Sequence, residues 1–254
     1  MKAAVIGLGW WGKQIIKCLS ESKKINITHA FDPQVSKDDP IFSEFSVDPN
    51  LGFDEIIDSP YVDAVILATP NQFHEKHTIS FLNEKIPVLL EKPISSNIQK
   101  AKKIIESSRK NKTHLLIGYH RRHNAIATKV KNKITKGKLG KIVSVNVMCW
   151  LYKNKEWFKE KWRVKKGGGP LGINLVHDID LICYLLGPVD YVQASSSNKI
   201  RKYDVEDTAV VNFVFKSGVL GTLSVSDTIV SPVSYTHLRA HETEADLVCR
   251  LLLE

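Results

Sequence analysis

Three glycines near the start of the chain have the spacing of a dinucleotide-binding turn. Gly7, Gly9 and Gly12 follow an apolar run at residues 3–6 and precede an amphipathic stretch at residues 13–20. In a strand–turn–helix unit, the first glycine permits the tight turn, the second admits a pyrophosphate, and the third lets helix and strand pack closely. The free N–H groups at the helix start favour an anion. This stretch therefore predicts a dinucleotide site.

An acidic residue follows at the distance expected for a ribose contact. Asp32 lies 20 residues after Gly12, at the end of a second strand-like stretch at residues 25–31. A carboxylate at this point accepts hydrogen bonds from the ribose hydroxyls of NAD and repels the 2′-phosphate of NADP. The alternative is a turn aspartate that precedes Pro33. Because the three glycines precede Asp32, we expect NAD rather than NADP.

Neither the histidines nor the cysteines form a complete metal-binding pattern. His74 and His77 are three residues apart, and His177 is followed by Asp178 and Asp180. Nothing else in the sequence completes either ligand set, so we expect no metal. The four cysteines are scattered without a CxxC pair. We therefore expect reduced thiols rather than disulfides.

The first half of the chain alternates strand-like and helix-like patterns. Apolar runs at residues 63–68, 87–90 and 114–117 alternate with helical patterns at residues 73–83 and 98–110. This alternation predicts parallel βαβ units in a doubly wound Rossmann sheet. Ligands of such sheets bind beyond the carboxyl ends of the strands. We therefore expect the residues that follow these strands to lie along one crevice.

The pattern changes near residue 125, where a basic helix begins. A glycine-opened helix and several successive strand-like segments follow, and Ser217-Gly218 indicates a hairpin turn. We predict a Rossmann domain over residues 1–122 and an α+β domain with a mainly antiparallel sheet over residues 123–231.

The formal net charge is +9, and residues 100–141 carry 14 Lys or Arg against one acid, Glu106. Nucleic-acid binding would explain this excess, but no nucleic-acid module with interleaved aromatic residues accompanies it. Solvated helix faces that favour an anionic cofactor or substrate explain it better. No apolar run is long enough to span a bilayer, and the N-terminus has no signal-peptide cleavage site. We expect a cytoplasmic protein with neither nucleic acid nor membrane as partner.

Several motifs occur in a recognisable order: GLGWWG, ATPN followed by His74, EKP, GYHRR, WR and GGGPLGINLVHDID. Together they resemble the Gfo/Idh/MocA oxidoreductases, the glucose–fructose oxidoreductase and inositol dehydrogenase family, over residues 1 to about 231. The resemblance implies an NAD(P)-dependent dehydrogenase. Its substrate would be a secondary alcohol of a sugar, cyclitol or related polyol.

The resemblance also assigns roles to single residues. Lys92 of EKP matches the family's lysine beside the reacting carbon, and His177 matches the histidine of the glycine-rich helix. An ammonium lowers the pKa of an alcohol, and a neutral imidazole accepts its proton. The expected catalytic pair is therefore Lys92 and His177. The expected substrate contacts are Tyr119, Arg122, Asn174 and Asp180. The expected cofactor contacts are Gly7, Gly9, Trp10, Trp11, Gly12, Asp32, Thr69, Pro70, Asn71, His74, Glu91, Lys92, Trp162 and Arg163.

One position departs from the family pattern. The aspartate that the family has four residues before the histidine is replaced here by Ile173. Isoleucine neither orients an imidazole nor binds a hydroxyl group. Asn174 is three residues before His177, so the two share a face of an α-helix. We expect Asn174 to contact the substrate, although it points to a different side of the helix from residue 173. The departure leaves a second hypothesis, a non-catalytic protein that senses a nucleotide or sugar.

The end of the sequence does not continue the family pattern. The peptide VSYTHL at residues 233–238 back-translates to the transposase end of a sequencing library, and the following residues fit the adapter. We expect residues 232–254 to be a non-native, adapter-derived tail. On this interpretation the native chain is truncated after about Ser231, and the truncated chain can lack activity. We expect the full-length protein to form a homo-oligomer.

Overall fold

The computed structural model describes residues 1–230, which divide into two units at Tyr119. The first unit is Met1–Tyr119 and the second begins at His120, three residues before the predicted boundary. The tail expected at residues 232–254 and Cys249 lie outside the described residues.

The first unit contains a parallel sheet of five strands in the order β2-β1-β3-β4-β5. The strands are β1 (Lys2–Ile6), β2 (Asn26–Phe31), β3 (Ala64–Leu67), β4 (Val88–Leu90) and β5 (Leu115–Ile117). The helices are α1 (Trp10–Leu19), α2 (Pro40–Glu44), α3 (Phe53–Ile57), α4 (His74–Asn83) and α5 (Ile98–Asn111), with a 3₁₀ turn at Asn71–Phe73. Consecutive strands with helical crossovers produce the doubly wound topology predicted from the sequence.

Both faces of this sheet are covered by helices. Val5 of β1 packs in one apolar cluster with Ile16 of α1. Its neighbour Ile6 packs in a separate cluster with Phe81 of α4. The sequence of a strand that is buried on both faces is a continuous apolar run, and this explains the uninterrupted hydrophobic residues 3–6 of β1.

A close backbone contact joins β1 to α1. Gly7 has φ +94°, a conformation that favours glycine. A Cβ atom added at Gly12 would lie 1.8 Å from the carbonyl oxygen of Gly7. The helix can therefore approach the strand end only because residue 12 has no side chain.

The second unit contains a four-stranded sheet in the order β6-β9-β8-β7. Its strands are β6 (Ser144–Trp150), β7 (Val189–Ser197), β8 (Thr208–Phe215) and β9 (Leu220–Ser226). Its helices are α6 (Ala125–Thr135) and α7 (Val176–Leu186), with a π turn at Leu171–Leu175 and 3₁₀ turns at His120–His123, Lys155–Lys159 and Lys161–Val164. Only the β6–β9 pairing is parallel in the described sheet, which confirms the predicted mainly antiparallel arrangement.

The two faces of the second sheet differ in their surroundings. Ile182 of α7 packs on one face, in a cluster with Phe213 of β8 and Val225 of β9. The opposite face carries exposed apolar side chains among polar ones. These are Met148, Tyr191, Val210 and Leu220.

No helix within residues 1–230 combines the length and the apolar character that a membrane crossing requires.

Replacing Gly12 by alanine is expected to lower the free energy of unfolding by about 3 kcal/mol, because the new methyl group would collide with backbone. Thermal denaturation followed by circular dichroism measures this change. Gly9→Ala is the matched control, since a Cβ at Gly9 meets nothing within 4 Å. Its melting temperature is expected to stay within about 2 °C of the wild type. Equal melting temperatures for Gly12→Ala and the wild type would contradict this account of the contact.

Candidate functional site

The carboxyl ends of the parallel strands lie along one edge of the first sheet. Backbone hydrogen bonds continue the sheet just beyond the strands: Gly7 N donates to the last residue of β2 at 2.9 Å, Glu91 N to the last residue of β3 at 2.9 Å, and Gly118 N to the last residue of β4 at 2.8 Å. Asp32 and Thr69 follow β2 and β3 at the same edge. The residues predicted to bind the cofactor from the first unit therefore gather where ligands of such sheets bind.

The start of α1 suits a diphosphate group. Its N-cap is Gly9, no side chain caps the helix, and its first turn has no acidic residue. The space where a Cβ of Gly9 would point is open to at least 4 Å. The hydroxyl of Thr69 is buried without a hydrogen-bond partner among the described residues. Uncapped N–H groups, the positive end of the helix dipole and a free hydroxyl are the donors that an anionic ligand requires.

Asp32 holds the glycine turn against the end of β2. Its two carboxylate oxygens accept hydrogen bonds from Leu8 N at 2.8 Å and from Gln34 N at 2.9 Å. A cavity of about 360 Å³ adjoins this carboxylate and is lined also by Phe31, Pro33 and Leu51. Each carboxylate oxygen keeps a further acceptor position. The geometry is therefore compatible with a ribose contact, which stays a prediction.

Two tryptophans mark the same turn. Trp10 begins α1 and is 70% exposed, and its ring lies 5.5 Å from that of Trp11.

The other predicted contacts of the first unit lie at neighbouring strand ends. Pro70 precedes the 3₁₀ turn Asn71–Phe73, which Asn71 begins. Tyr119, a predicted substrate contact, is partly exposed at the end of the first unit.

His74, a predicted cofactor contact, is buried inside the first unit. Its side chain is 0% exposed. Nδ1 lies 2.8 Å from the carbonyl oxygen of Pro93, and Nε2 lies 2.8 Å from that of Thr69. Burial lowers the pKa of this imidazole, against the effect of the two carbonyls. Because no ring surface is left for a ligand, His74 supports the edge of the sheet from within.

Lys92 lies two residues beyond the end of β4 and is partly exposed. The preceding Glu91 is buried, and one of its carboxylate oxygens accepts a hydrogen bond from Lys92 N at 3.2 Å. A Cβ at Gly118 would lie 2.7 Å from the Glu91 carboxylate, so glycine leaves room for this acid beneath β5. The predicted cofactor contact of Glu91 is not supported, because its carboxylate is buried under Gly118 and accepts from Lys92 N.

In the second unit, three consecutive residues contact three residues of α7. The rings of His120 and His177 are 4.6 Å apart, and both side chains are buried, at 2% and 5% exposure. Arg121 forms an ion pair with Asp178. Arg122 binds Asp180 with two hydrogen bonds, one of them from Nε at 2.8 Å. We call these three pairs the His-Arg-Arg contacts.

Two of the predicted substrate residues, Arg122 and Asp180, bond to each other in these contacts. Arg122 donates hydrogen bonds to Asp180, and this interaction raises the pKa of the guanidinium. Burial raises the pKa of Asp178, and Arg121 opposes that rise. A substrate contact for Arg122 and Asp180 stays a prediction, while their ion pair orients the helix that carries His177.

His120 and Arg121 are absent from the predicted site residues, and Asp178 was considered only as a metal ligand. A signal was present, because the segment His120-Arg121-Arg122 and the later run HDID are complementary in charge. Opposite charges in two separated motifs favour contact, but only the fold shows which arginine meets which aspartate.

The glycine-rich segment before α7 is closely packed. A Cβ at Gly169 would lie 2.2 Å from a carboxylate oxygen of Glu206, and the same carboxylate accepts a hydrogen bond from Leu171 N at 3.1 Å. The turn that follows is π-helical rather than α-helical, and it contains both Ile173 and Asn174. In this wider turn the three-residue spacing from Asn174 to His177 does not by itself place them on one face. The shared face predicted from the spacing is therefore not supported.

Trp162 and Arg163 pack against the glycine-rich segment from another side. The guanidinium of Arg163 lies 3.6 Å from the ring centroid of Trp157 and donates to its carbonyl oxygen at 2.9 Å. Burial lowers the pKa of Arg163. A Cβ at Gly168 would lie 2.5 Å from the carbonyl oxygen of Trp162, so the pair needs glycine at this point. The role of the pair at the cofactor stays a prediction.

Two family models match the chain. A model described as an oxidoreductase family with an NAD-binding Rossmann fold matches residues 1–119. A model described as the GFO/IDH/MocA C-terminal domain matches residues 127–246.

Individual relatives agree with these matches. The 1,5-anhydro-D-fructose reductase of Ensifer adhaerens is 26% identical over 244 residues, which are 94% of this chain and 69% of the reductase. The myo-inositol 2-dehydrogenase of Thermotoga maritima is 30% identical over 179 residues, which are 68% of this chain and 52% of the dehydrogenase. The chain therefore spans only part of the length of these relatives.

Solved structures share the fold. The WlbA dehydrogenase from Bordetella pertussis, in complex with NADH and UDP-GlcNAcA, superposes with a TM-score of 0.81. Its sequence identity is 22%, and the match covers 90% of this chain and 67% of that one. The two family models match the chain one after the other, and each unit contains one sheet. The chain therefore belongs to the Gfo/Idh/MocA oxidoreductases.

Proposed function

We propose that this chain transfers a hydride between NAD and a secondary alcohol of a sugar, cyclitol or related polyol. The observation that carries the proposal is the gathering of the glycine turn, Asp32, Thr69 and Lys92 at one edge of the parallel sheet. The named activities of the anhydrofructose reductase and the inositol dehydrogenase support the substrate class.

The cofactor would lie along this edge. The uncapped start of α1 would bind the diphosphate. Asp32, beside the 360 Å³ cavity, would accept hydrogen bonds from the hydroxyls of the adenosine ribose. The hydroxyl of Thr69 is a donor without a partner among the described residues and would reach the bound dinucleotide. We also propose Trp162 and Arg163 of the second unit as cofactor contacts. When bound, the nicotinamide supplies the hydride chemistry.

Lys92 and His177 would handle the proton and the charge. An ammonium at Lys92 favours the alkoxide form of the alcohol and polarises the carbonyl in the reverse direction. A neutral imidazole at His177 would accept the proton, and its ring packs against that of His120 at 4.6 Å. Asn174 and Tyr119 are proposed to bind substrate hydroxyls.

The exposed face of the second sheet supports self-association. Met148, Tyr191, Val210 and Leu220 give this face an apolar character that solvent disfavours. We propose that a second copy of the full-length protein covers it. Cys18, Cys149 and Cys183 form no disulfide within the described residues, which suits the reducing cytoplasm that we propose as the compartment.

The glycine turn can be tested by NADH binding. Gly9→Ala is expected to raise the Kd for NADH by about 30-fold or more, because the added methyl group occupies the space where the diphosphate approaches. Quenching of Trp10 and Trp11 fluorescence by NADH measures the Kd. The melting temperature of the variant serves as the control for folding. An unchanged Kd would show that NADH does not bind at the start of α1.

Lys92 can be tested by turnover. Lys92→Ala is expected to lower kcat by about 100-fold or more and to leave the Kd for NADH within about threefold. The measurement is reduction of NAD with a panel of polyols and sugars, followed by absorbance of the nicotinamide. Lys102→Ala is the matched control, because Lys102 is an exposed residue of α5. Retained turnover in Lys92→Ala would overturn the catalytic role of Lys92.

The same panel decides between catalysis and sensing. A wild-type chain that binds NADH and a polyol, without any hydride transfer, would overturn the proposed activity in favour of a sensor. We expect reduction of NAD by at least one member of the panel.

A further inference from the structure

We infer that His74 is a positioning residue that fixes the backbone beside Lys92 through a hydrogen bond from Nδ1–H to the carbonyl oxygen of Pro93. The inference rests on the proposed role of Lys92. It concerns the seven residues 91–97 between β4 and α5, which we call the Lys92 loop.

One buried ring spans two neighbouring strand ends. His74 begins α4 and has no exposed surface. Its Nδ1 faces the carbonyl of Pro93 in the Lys92 loop, and its Nε2 faces the carbonyl of Thr69 after β3, each at 2.8 Å. The ring therefore connects the end of β3 with the loop that follows β4.

Only one of these carbonyls can receive a proton from a neutral ring. Burial at the N-terminal end of a helix disfavours a positive charge on His74. A neutral imidazole carries a single N–H, so one nitrogen donates and the other has only a lone pair. The two contacts are therefore not equivalent, and the tautomer decides which segment is held.

The Lys92 loop is held to the sheet at its first residue, by Glu91 N to Leu67 O at 2.9 Å, and the His74 contact holds it two residues later at Pro93. Thr69 lies in a short connection that the backbone already fixes, through Ala68 N to Ile6 O at 2.8 Å and Phe73 N to Pro70 O at 2.9 Å. The Lys92 loop contains no helix or strand in the described structure. Pro93 has no N–H, so its carbonyl is the backbone group through which this part of the loop can be held.

The bond acts on Lys92 through the Pro93 ring. Pro93 N shares a peptide group with Lys92, and the fixed φ of proline couples that peptide group to the bonded carbonyl. A shift of the Pro93 carbonyl would move the Cα atom of Lys92 and with it the amine. Displacement of a catalytic group by about 1 Å can reduce a rate by about 100-fold. His74 thus acts through Lys92 and has no contact of its own with a ligand.

Two isosteric substitutions separate the two contacts. In His74→Asn the side-chain amide nitrogen replaces Nδ1 and can still donate to Pro93. In His74→Gln the amide nitrogen replaces Nε2 and can donate only towards Thr69. We expect His74→Asn to keep kcat within about fivefold of the wild type and His74→Gln to lower it by about 50-fold, with the Kd for NADH within about threefold in both.

His77→Gln is the matched control for these variants. His77 lies one turn later on α4, stacks on Phe73 at 5.3 Å, and has no hydrogen bond from Nδ1 among the described residues. We expect its kcat to stay within about twofold of the wild type. A purely structural role for His74 would lower kcat and melting temperature equally in His74→Asn and His74→Gln. Equal losses, or a smaller loss in His74→Gln, would overturn the inference.

A measurement on the wild-type chain is independent of turnover. The ¹⁵N shifts of labelled histidine distinguish a protonated Nδ1 from a protonated Nε2, and the His74→Asn spectrum identifies the His74 signals. We expect Nδ1 to be protonated at pH 7; protonation of Nε2 alone would overturn the inference. A chain without polyol turnover but with Nδ1 protonated would refute the proposed function and leave the hydrogen bond to Pro93 established.

Discussion

The contact between Gly12 and the carbonyl of Gly7 is the constraint on which the first unit depends. It brings the start of α1 directly onto the end of β1, so the uncapped N–H groups of the helix lie at the edge of the sheet. The parallel arrangement then places the ends of four further strands beside it. Asp32, Thr69 and the Lys92 loop reach this edge because the strands before them are buried on both sides and have one direction.

The second unit uses electrostatics to place its histidine. The His-Arg-Arg contacts fix the 3₁₀ turn His120–His123 against α7, and two of the three are ion pairs. The Arg122–Asp180 pair is bidentate, and partly buried ion pairs define orientation more than they add stability. The two ion pairs thus hold the helix that carries His177, and the His120 ring packs against the His177 ring itself.

The fold could be predicted from the sequence because its signals are local. Apolar runs such as residues 63–68 and the three glycines of the first turn each determine a strand or a turn by themselves. The candidate site was predictable where a residue follows a strand, as Asp32 and Lys92 do. It was not predictable for His74, whose burial depends on how α4 packs, or for Asn174, whose turn is π-helical. The partners of Arg121 and Arg122 also depend on tertiary contacts between distant segments.

The carboxylate of Glu206 accepts a hydrogen bond from Leu171 N, at the glycine-rich segment before α7, and this affects which ligands that segment can bind. The two glycine-rich segments look alike in the sequence, since each opens a helix whose first N–H groups lack helical partners. At α1 no side chain caps those groups. Before α7 the chain has filled the equivalent position with its own negative charge, and a second anion there would have to displace Glu206. The two glycine-rich segments therefore treat anions differently. The start of α1 attracts an anion, and the segment before α7 repels one because Glu206 already lies there.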